Sequence, residues 1–183
     1  MSRINEALEL LGKMVAIPSI EGNEKEMGNF LAEYAESLGM TVEKQVVEGD
    51  RANVIARIRI GKGGKTVLLN SHMDVVPPGD GWNTNPYELV IEGDRAYGRG
   101  STDAKGALTA FLMATKNIIE IPDGLNGNII FTAVVDEESY SKGARYMAEN
   151  RSVEADYGIV GEPTMSNVYI WHKGSIRPVI KIK

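Results

Sequence analysis

The chain has 183 residues, of which 43% are hydrophobic and 25% charged, a balance typical of a folded globular domain. Its net charge of -5 argues against binding to nucleic acid or to an anionic membrane surface. The absence of cysteine excludes disulfides and thiolate chemistry. No apolar run approaches the roughly eighteen residues of a membrane span. Because the first residues also lack a secretion-signal pattern, we expect a cytoplasmic protein.

The first forty residues predict two amphipathic helices. Ser2 is placed to cap the first helix, and Pro18 ends it. Asn23 and Glu26 have the spacing of a capping box for the second helix. Gly39 stands where a C′ glycine would terminate that helix.

Beyond residue 40 the hydrophobic period changes from helix to strand. Two segments alternate apolar and polar residues as half-buried strands do, and three later apolar runs predict buried strands. The alternating segments are 41–47 and 53–60, the buried strands are 66–74, 128–135 and 155–162, and the intervening helices cover 102–119 and 141–150. The segment 167–183 predicts two more strands around Lys173 and Gly174. Buried strands alternating with helices predict an α/β fold, with a mixed, mostly parallel sheet and helices on both faces.

One histidine and a group of acids follow the ends of the buried strands, where ligands of open α/β sheets bind. These residues are His72, Asp74, Asp136, Glu137, Glu138 and Glu162, and Asp103 stands at the start of the long helix. Neighbouring like charges are costly unless a cation neutralises them, so we expect metal ions to do so. One imidazole with carboxylate oxygens and no thiolate suits zinc, cobalt or manganese.

The spacing of these residues has a physical reason. His72 and Asp74 are two positions apart, so on extended backbone they point to the same face. A metal-bound imidazole needs its other ring nitrogen held, and Asp74 is placed to hold it. Glu137 and Glu138 are adjacent and diverge, so one can bind metal while the other stays free to carry protons.

Four motifs in this chain resemble successive motifs of one enzyme family. They are SHMDVVPPGDGW (71–82), GRGSTDAKG (98–106), DEESYSKGAR (136–145) and GEPT (161–164). The family is that of the co-catalytic zinc peptidases, which includes acetylornithine deacetylase, succinyl-diaminopimelate desuccinylase, glutamate carboxypeptidase and aminoacylase. The residues in the GEPT and GRGSTDAKG motifs favour the branch that contains acetylornithine deacetylase and succinyl-diaminopimelate desuccinylase.

The resemblance implies a set of metal ligands. His72 and Glu162 would bind one zinc, Glu138 would bind a second, and Asp103 would bridge both. It also implies a cis peptide bond between Asp103 and Ala104.

The resemblance further implies the reaction, which is hydrolysis of amide bonds in small N-acyl amino acids or short peptides. Asp74 would orient His72. Glu137 would act as the general base for a metal-bridging hydroxide that attacks the amide carbonyl.

The chain departs from the family pattern near its end. The family's second zinc takes another histidine, but the other histidine here is His172, which lies in a different segment and which we expect to be structural. Residues 1–175 resemble the N-terminal part of the catalytic domain, and 176–183 resemble the start of the strand that leads to the family's lid and dimerisation domain. We therefore expect a truncated site that binds at most one zinc well and turns over poorly, and a homodimer only in a form with the lid.

There are two alternatives to an active hydrolase. A non-catalytic metal-binding fragment, or an inactive truncated relative, would keep the same acids without turnover. A nucleotide-binding protein is discounted, because the first glycine of a phosphate loop ending at GKT would fall on Arg59 and the segment leads into a strand.

Overall fold

The computed structural model of the chain describes residues 2–174. Within this range the chain forms four helices and seven strands. In chain order they are α1 (Arg3–Val15), α2 (Lys25–Ser37), β1 (Thr41–Glu48), β2 (Arg51–Ile60), β3 (Thr66–His72), β4 (Val90–Glu92), β5 (Arg95–Tyr97), α3 (Lys105–Glu120), β6 (Gly127–Val134), α4 (Lys142–Glu149) and β7 (Tyr157–Val160). No helix in this range is both long and apolar enough to cross a membrane.

The central sheet has five strands in the order β1-β2-β6-β3-β7, and β4 with β5 forms a separate hairpin. The pairs β1–β2 and β2–β6 are antiparallel, whereas β3 pairs in parallel with both β6 and β7. The predicted α/β class with a mixed sheet is confirmed. Because β3, β6 and β7 run in the same direction, their carboxyl ends meet at one edge of the sheet, where the predicted site residues follow them.

Helices cover both faces of the sheet, as predicted. Helices α1, α2 and α3 pack on one face around a core that includes Met14, Leu31, Leu108 and Phe131. Asn53 of β2 points to the other face and donates a hydrogen bond of 2.9 Å to the backbone of α4. The side chains alternate along β2, so the core face and the α4 face are fixed by the same strand.

The ends of the first two helices test the predicted caps. Ser2 is the N-cap of α1, and its hydroxyl accepts a backbone N–H bond of 3.3 Å from the first turn, as predicted. Gly39 follows α2 with a φ of +80°, which glycine adopts without strain. The prediction of a capping box at Asn23 is wrong. The N-cap residue is Glu24, and its carboxylate binds an arginine side chain instead of the helix backbone.

Two expectations about the last strands are wrong. Strand β7 was expected to be buried, but Tyr157, Ile159 and Val160 are exposed, because β7 is the outermost strand of the described sheet. Between residues 161 and 174 the structure has no strand, so the strand expected around Tyr169 is absent from the described part of the chain. The final strand, expected over 175–183, lies outside the described residues.

Candidate metal centre

His72 is the centre of the site. It is the last residue of β3 and is 1% exposed. Its ring Nδ1 lies 3.0 Å from the backbone oxygen of Asp74 and 3.5 Å from the Asp74 carboxylate. The ring is therefore held on its Nδ1 side, and Nε2 faces the open edge of the sheet.

Three carboxylates surround Nε2 of His72. The Asp103 carboxylate lies 3.0 Å away, that of Glu137 3.9 Å and that of Glu162 4.0 Å. Glu137 follows β6 and Glu162 follows β7, so they meet His72 because the three parallel strands end at the same edge. Asp103 reaches the same edge from the segment that precedes α3. All three carboxylates are between a third and a half exposed, which leaves the cluster open to solvent.

Two groups of three residues could each hold a metal ion. One group is His72, Glu137 and Glu162, and the other is His72, Asp103 and Glu138; within each, the ligand atoms lie within 4.8 Å of one another. The structure thus brings together every ligand named from the sequence. It groups them differently from the family pattern, which pairs Glu162 with Asp103 and leaves Glu137 off the metal. Both groups share the single imidazole of His72.

Asp74 does more than the sequence suggested. Its buried carboxylate accepts backbone N–H bonds from Glu137, at 3.1 Å, and from Glu138, at 3.0 Å. One side chain therefore contacts the histidine ring and also holds the backbone of the two glutamates. The His72–Asp74 spacing carries no signal for this second role, because the partners lie more than sixty residues away.

The pKa values around His72 reflect its acidic surroundings. Burial alone would lower the pKa of His72, but hydrogen bonds to Asp103 and Asp74 outweigh it and raise the pKa to about 11. Burial would raise the pKa of Asp74, but its bonds to His72 and to the two backbone N–H groups lower it. Without a metal, the imidazole carries a proton and serves as the local cation.

The remaining acids carry more negative charge than one imidazole balances. Burial raises the pKa of Glu162 to about 7, and the neighbouring carboxylates of Glu137 and Asp103 add to the rise. Burial and the Asp103 carboxylate likewise raise the pKa of Glu138. A divalent cation fits this charge excess, and the donor set of one ring nitrogen with carboxylate oxygens suits zinc-type ions.

The position of Asp136 differs from the one expected from the sequence. The sequence grouped it with Glu137 and Glu138 as an acid for metal ions to neutralise. The structure buries it and pairs its Oδ1 with Arg51 at 2.9 Å. A φ of +66° at Asp136 marks a sharp change of chain direction, so its carboxylate is held beside the arginine and not beside His72. Sequence reasoning missed Arg51, because no local spacing connects residues 85 positions apart.

Two further expectations concern single positions. The peptide bond between Asp103 and Ala104 is cis, as the family resemblance implied. His172 is exposed, and its Nδ1 lies 2.8 Å from the backbone oxygen of Lys173. It belongs to neither ligand group found among the described residues.

A mixed sheet with one imidazole and several carboxylates gathered at its parallel strand ends is the arrangement of a metallopeptidase catalytic domain. Residues 68–173 match the model of peptidase family M20/M25/M40, and the chain belongs to this family. The resemblance stated from the four motifs is thereby confirmed.

Three relatives give the scale of the similarity. The chain is 38% identical over 163 residues to acetylornithine deacetylase of Aliivibrio fischeri (strain MJ11), covering 88% of this chain and 42% of that protein. It is 34% identical over 174 residues to the probable succinyl-diaminopimelate desuccinylase of Staphylococcus aureus (strain MRSA252), covering 93% and 42%. The crystal structure of the M20 family metallo-carboxypeptidase Sso-CP2 from Sulfolobus solfataricus superposes with a TM-score of 0.71 at 30% identity, covering 85% and 37%. The chain therefore spans less than half the length of these relatives.

Proposed function

We propose that this chain carries the metal site of a zinc-dependent hydrolase that cleaves amide bonds of N-acyl amino acids or short peptides. The observation that carries the proposal is the set of three carboxylates within 4.0 Å of Nε2 of the buried His72. The names of the relatives support the substrate class, since they include a deacetylase and a probable desuccinylase of amino acid derivatives.

We assign the metal ligands by combining the geometry with the family pattern. His72, Asp103 and Glu162 would hold one zinc, and Glu138 with Asp103 would contribute to a second. When bound, zinc supplies a Lewis acid that polarises an amide carbonyl and lowers the pKa of a water molecule towards neutrality.

The residues of the chain supply the proton chemistry. Glu137 is 40% exposed and is tethered through its backbone N–H to Asp74, so its carboxylate can reach both solvent and a bound substrate. It would accept a proton from the attacking water and return it to the leaving amine. Asp74 would keep the Nδ1 proton of the neutral imidazole in place, which leaves Nε2 available to a metal.

Metal binding without turnover is the second candidate function. Both ligand groups contain His72, and one imidazole nitrogen can bind one metal ion at a time. This sharing favours metal binding without turnover. We expect the chain to bind close to one zinc and to hydrolyse substrates slowly.

Elemental analysis of the purified chain, together with Glu162→Ala, tests the proposal. About one zinc per chain, lost in the variant, would support the site, and about two would mean that the chain completes the second site. Glu154→Ala is the matched control, because Glu154 is exposed and lies outside both ligand groups. A wild-type chain that binds no zinc would contradict the proposal. Hydrolysis of N-acetyl and N-succinyl amino acids then separates an enzyme from a metal-binding module.

A further inference from the structure

The loop 135–141, which joins β6 to α4, carries both Glu137 and Glu138. Asp136, near the start of the loop, has a left-handed conformation that non-glycine residues rarely adopt unless their surroundings hold them there. Its backbone oxygen accepts a bond of 2.6 Å from the N–H of Ser141, and its Oδ2 accepts one of 3.2 Å from the N–H of Lys142. The conformation of the loop therefore depends on Asp136.

A largely buried arginine side chain, that of Arg51, holds Asp136. The Arg51 side chain is 11% exposed and donates a hydrogen bond of 2.9 Å to Oδ1 of Asp136. The same guanidinium donates two bonds, of 2.9 Å and 2.5 Å, to the two carboxylate oxygens of Glu24. The side chains of Glu24 and Asp136 are fully buried. We name these three residues the buried triad, in which the planar fork of one arginine bridges two carboxylates.

The sheet register explains why these residues meet. Strand β2 pairs antiparallel with β6, and the last pair at this end is Val54 with Ala133. Continuing the register three positions places Arg51 opposite Asp136. Glu24, at the start of α2, completes the triad from the helical layer. The triad thus links the first residue of β2 to the loop that follows β6.

The loop is held from a second direction by Asp74, which accepts the N–H bonds of Glu137 and Glu138. Asp74 also contacts His72, whereas the hydrogen bonds of Arg51 go to Glu24, Glu48 and Asp136. The contact that connects Arg51 with the candidate ligands is therefore Asp136, whose backbone leads directly into Glu137 and Glu138.

We propose that Arg51 is a positioning residue of the metal centre, because its bond to Asp136 sets the backbone from which Glu137 and Glu138 project. The inference rests on the proposed function, since it assumes that these glutamates serve a metal site. Partners that orient metal ligands typically change metal affinity by about 10- to 100-fold when they are replaced. Arg51 acts one step further out, so we expect the lower end of that range.

The test compares Arg51→Lys with Arg57→Lys. A lysine keeps the charge but cannot bridge two carboxylates in one plane. Arg57 is a matched control, because it also lies on β2 and pairs with an acid, Glu43, but it binds away from the loop. Cobalt(II) affinity would be measured by competition with a chromophoric chelator. Amide hydrogen exchange at Glu137 and Glu138 would be measured in the metal-free chain.

We expect Arg51→Lys to weaken cobalt binding about tenfold and to speed exchange at both amides, while Arg57→Lys changes neither by more than about twofold. Asp136→Asn is the second variant if Arg51→Lys does not fold, because an amide offers one acceptor oxygen where the carboxylate offers two. A folded Arg51→Lys or Asp136→Asn chain with wild-type cobalt affinity would overturn the inference and leave the proposed function standing. A wild-type chain that binds no cobalt or zinc would overturn both.

Discussion

Asp74 and His72 form the contact on which the candidate metal centre is built. The Asp74 carboxylate lies 3.5 Å from Nδ1 of His72, and both side chains are buried. The same carboxylate accepts the backbone N–H groups of Glu137 and Glu138. One acid therefore contacts the histidine ring and also accepts backbone N–H bonds from the loop that carries two of the carboxylates.

Replacement of Asp74 by asparagine should weaken zinc binding by about 10- to 100-fold. Asparagine keeps the backbone oxygen that lies 3.0 Å from Nδ1 of His72, but its neutral amide gives the imidazole less electrostatic support and offers one acceptor oxygen to the two backbone N–H groups. Competition titration with a chromophoric chelator measures the effect. Asp156→Asn is the control, since Asp156 also accepts a backbone N–H bond, from Thr66 at the far end of β3. Equal zinc affinity in wild type and Asp74→Asn would contradict this role.

Zinc should stabilise the chain, and His72 should be required for it. A ligand that binds only the folded state at a hundred times its Kd stabilises that state by about 2.7 kcal/mol. We expect thermal melts with and without zinc to show this shift in wild type and in His172→Ala, because His172 lies outside both ligand groups. His72→Ala should lose it. A zinc-dependent shift that disappears in His172→Ala and persists in His72→Ala would reverse the assignment.

The metal-free chain should lose stability as the pH rises. A group whose pKa is higher in the folded than in the unfolded state stabilises the fold fully below its unfolded pKa, and the contribution disappears as the pH rises through the folded value. For Glu162 this window runs from the ordinary value of 4.5 to about 7, and for His72 it runs from 6.5 to about 11. Both shifts act in the same direction.

Urea denaturation with a chelator present, between about pH 5 and pH 8, measures this effect, because above about pH 8 the lowered pKa of the buried Lys105 acts in the opposite direction. The midpoint should fall across the range, and Glu162→Gln should reduce the part of the fall below about pH 7, to which the raised pKa of Glu138 also contributes. Saturating zinc should oppose the fall, because metal ligands bind in their deprotonated forms. A midpoint that rises with pH in the presence of chelator would contradict the expected sign.

Asn53 should be essential for the packing of α4 on the sheet. Its amide donates to the Gln45 side chain and to the Gly143 backbone, and its oxygen accepts the Val135 N–H. Asn53→Asp removes both donors at a fully buried position, so we expect a loss of about 2–3 kcal/mol in the free energy of unfolding. Asn128→Asp also removes two donated hydrogen bonds, but at the half-buried start of β6, where solvent can replace them, so it should cost less than about 1 kcal/mol. Urea denaturation of both variants in the presence of chelator checks the difference.

Much of the architecture was predictable because it follows from local physical chemistry. Ser2 caps α1 through a hydrogen bond to its own first turn, and Gly39 ends α2 because it accepts a positive φ. The apolar runs that became β3 and β6 were continuous enough to identify as strands, although the first residues of β3 are only partly buried. The local pattern failed to predict the structure where a long-range partner competes with it. A capping box was expected at Asn23 and Glu26, but the N-cap residue is Glu24, whose carboxylate binds the distant Arg51.

That these candidate site residues lie close together was also predictable, since His72, Asp103, Glu137, Glu138 and Glu162 all stand at element ends in recognisable motifs. Their grouping was not, because it depends on which strands are neighbours. Only the parallel pairing of β3 with β6 and β7 brings these ends together.

The sequence by itself determined the helices, most of the strands, the α/β class and the residues available to a metal, because each of these depends on neighbours in the chain. The tertiary structure alone decided that Asp136 faces Arg51 while Glu137 lies near His72. That choice depends on the register between β2 and β6 and on the left-handed backbone at Asp136, which orient adjacent acids differently. Three neighbouring acids are tolerated because Asp136 is paired with Arg51, while Glu137 and Glu138 lie close to the imidazole of His72.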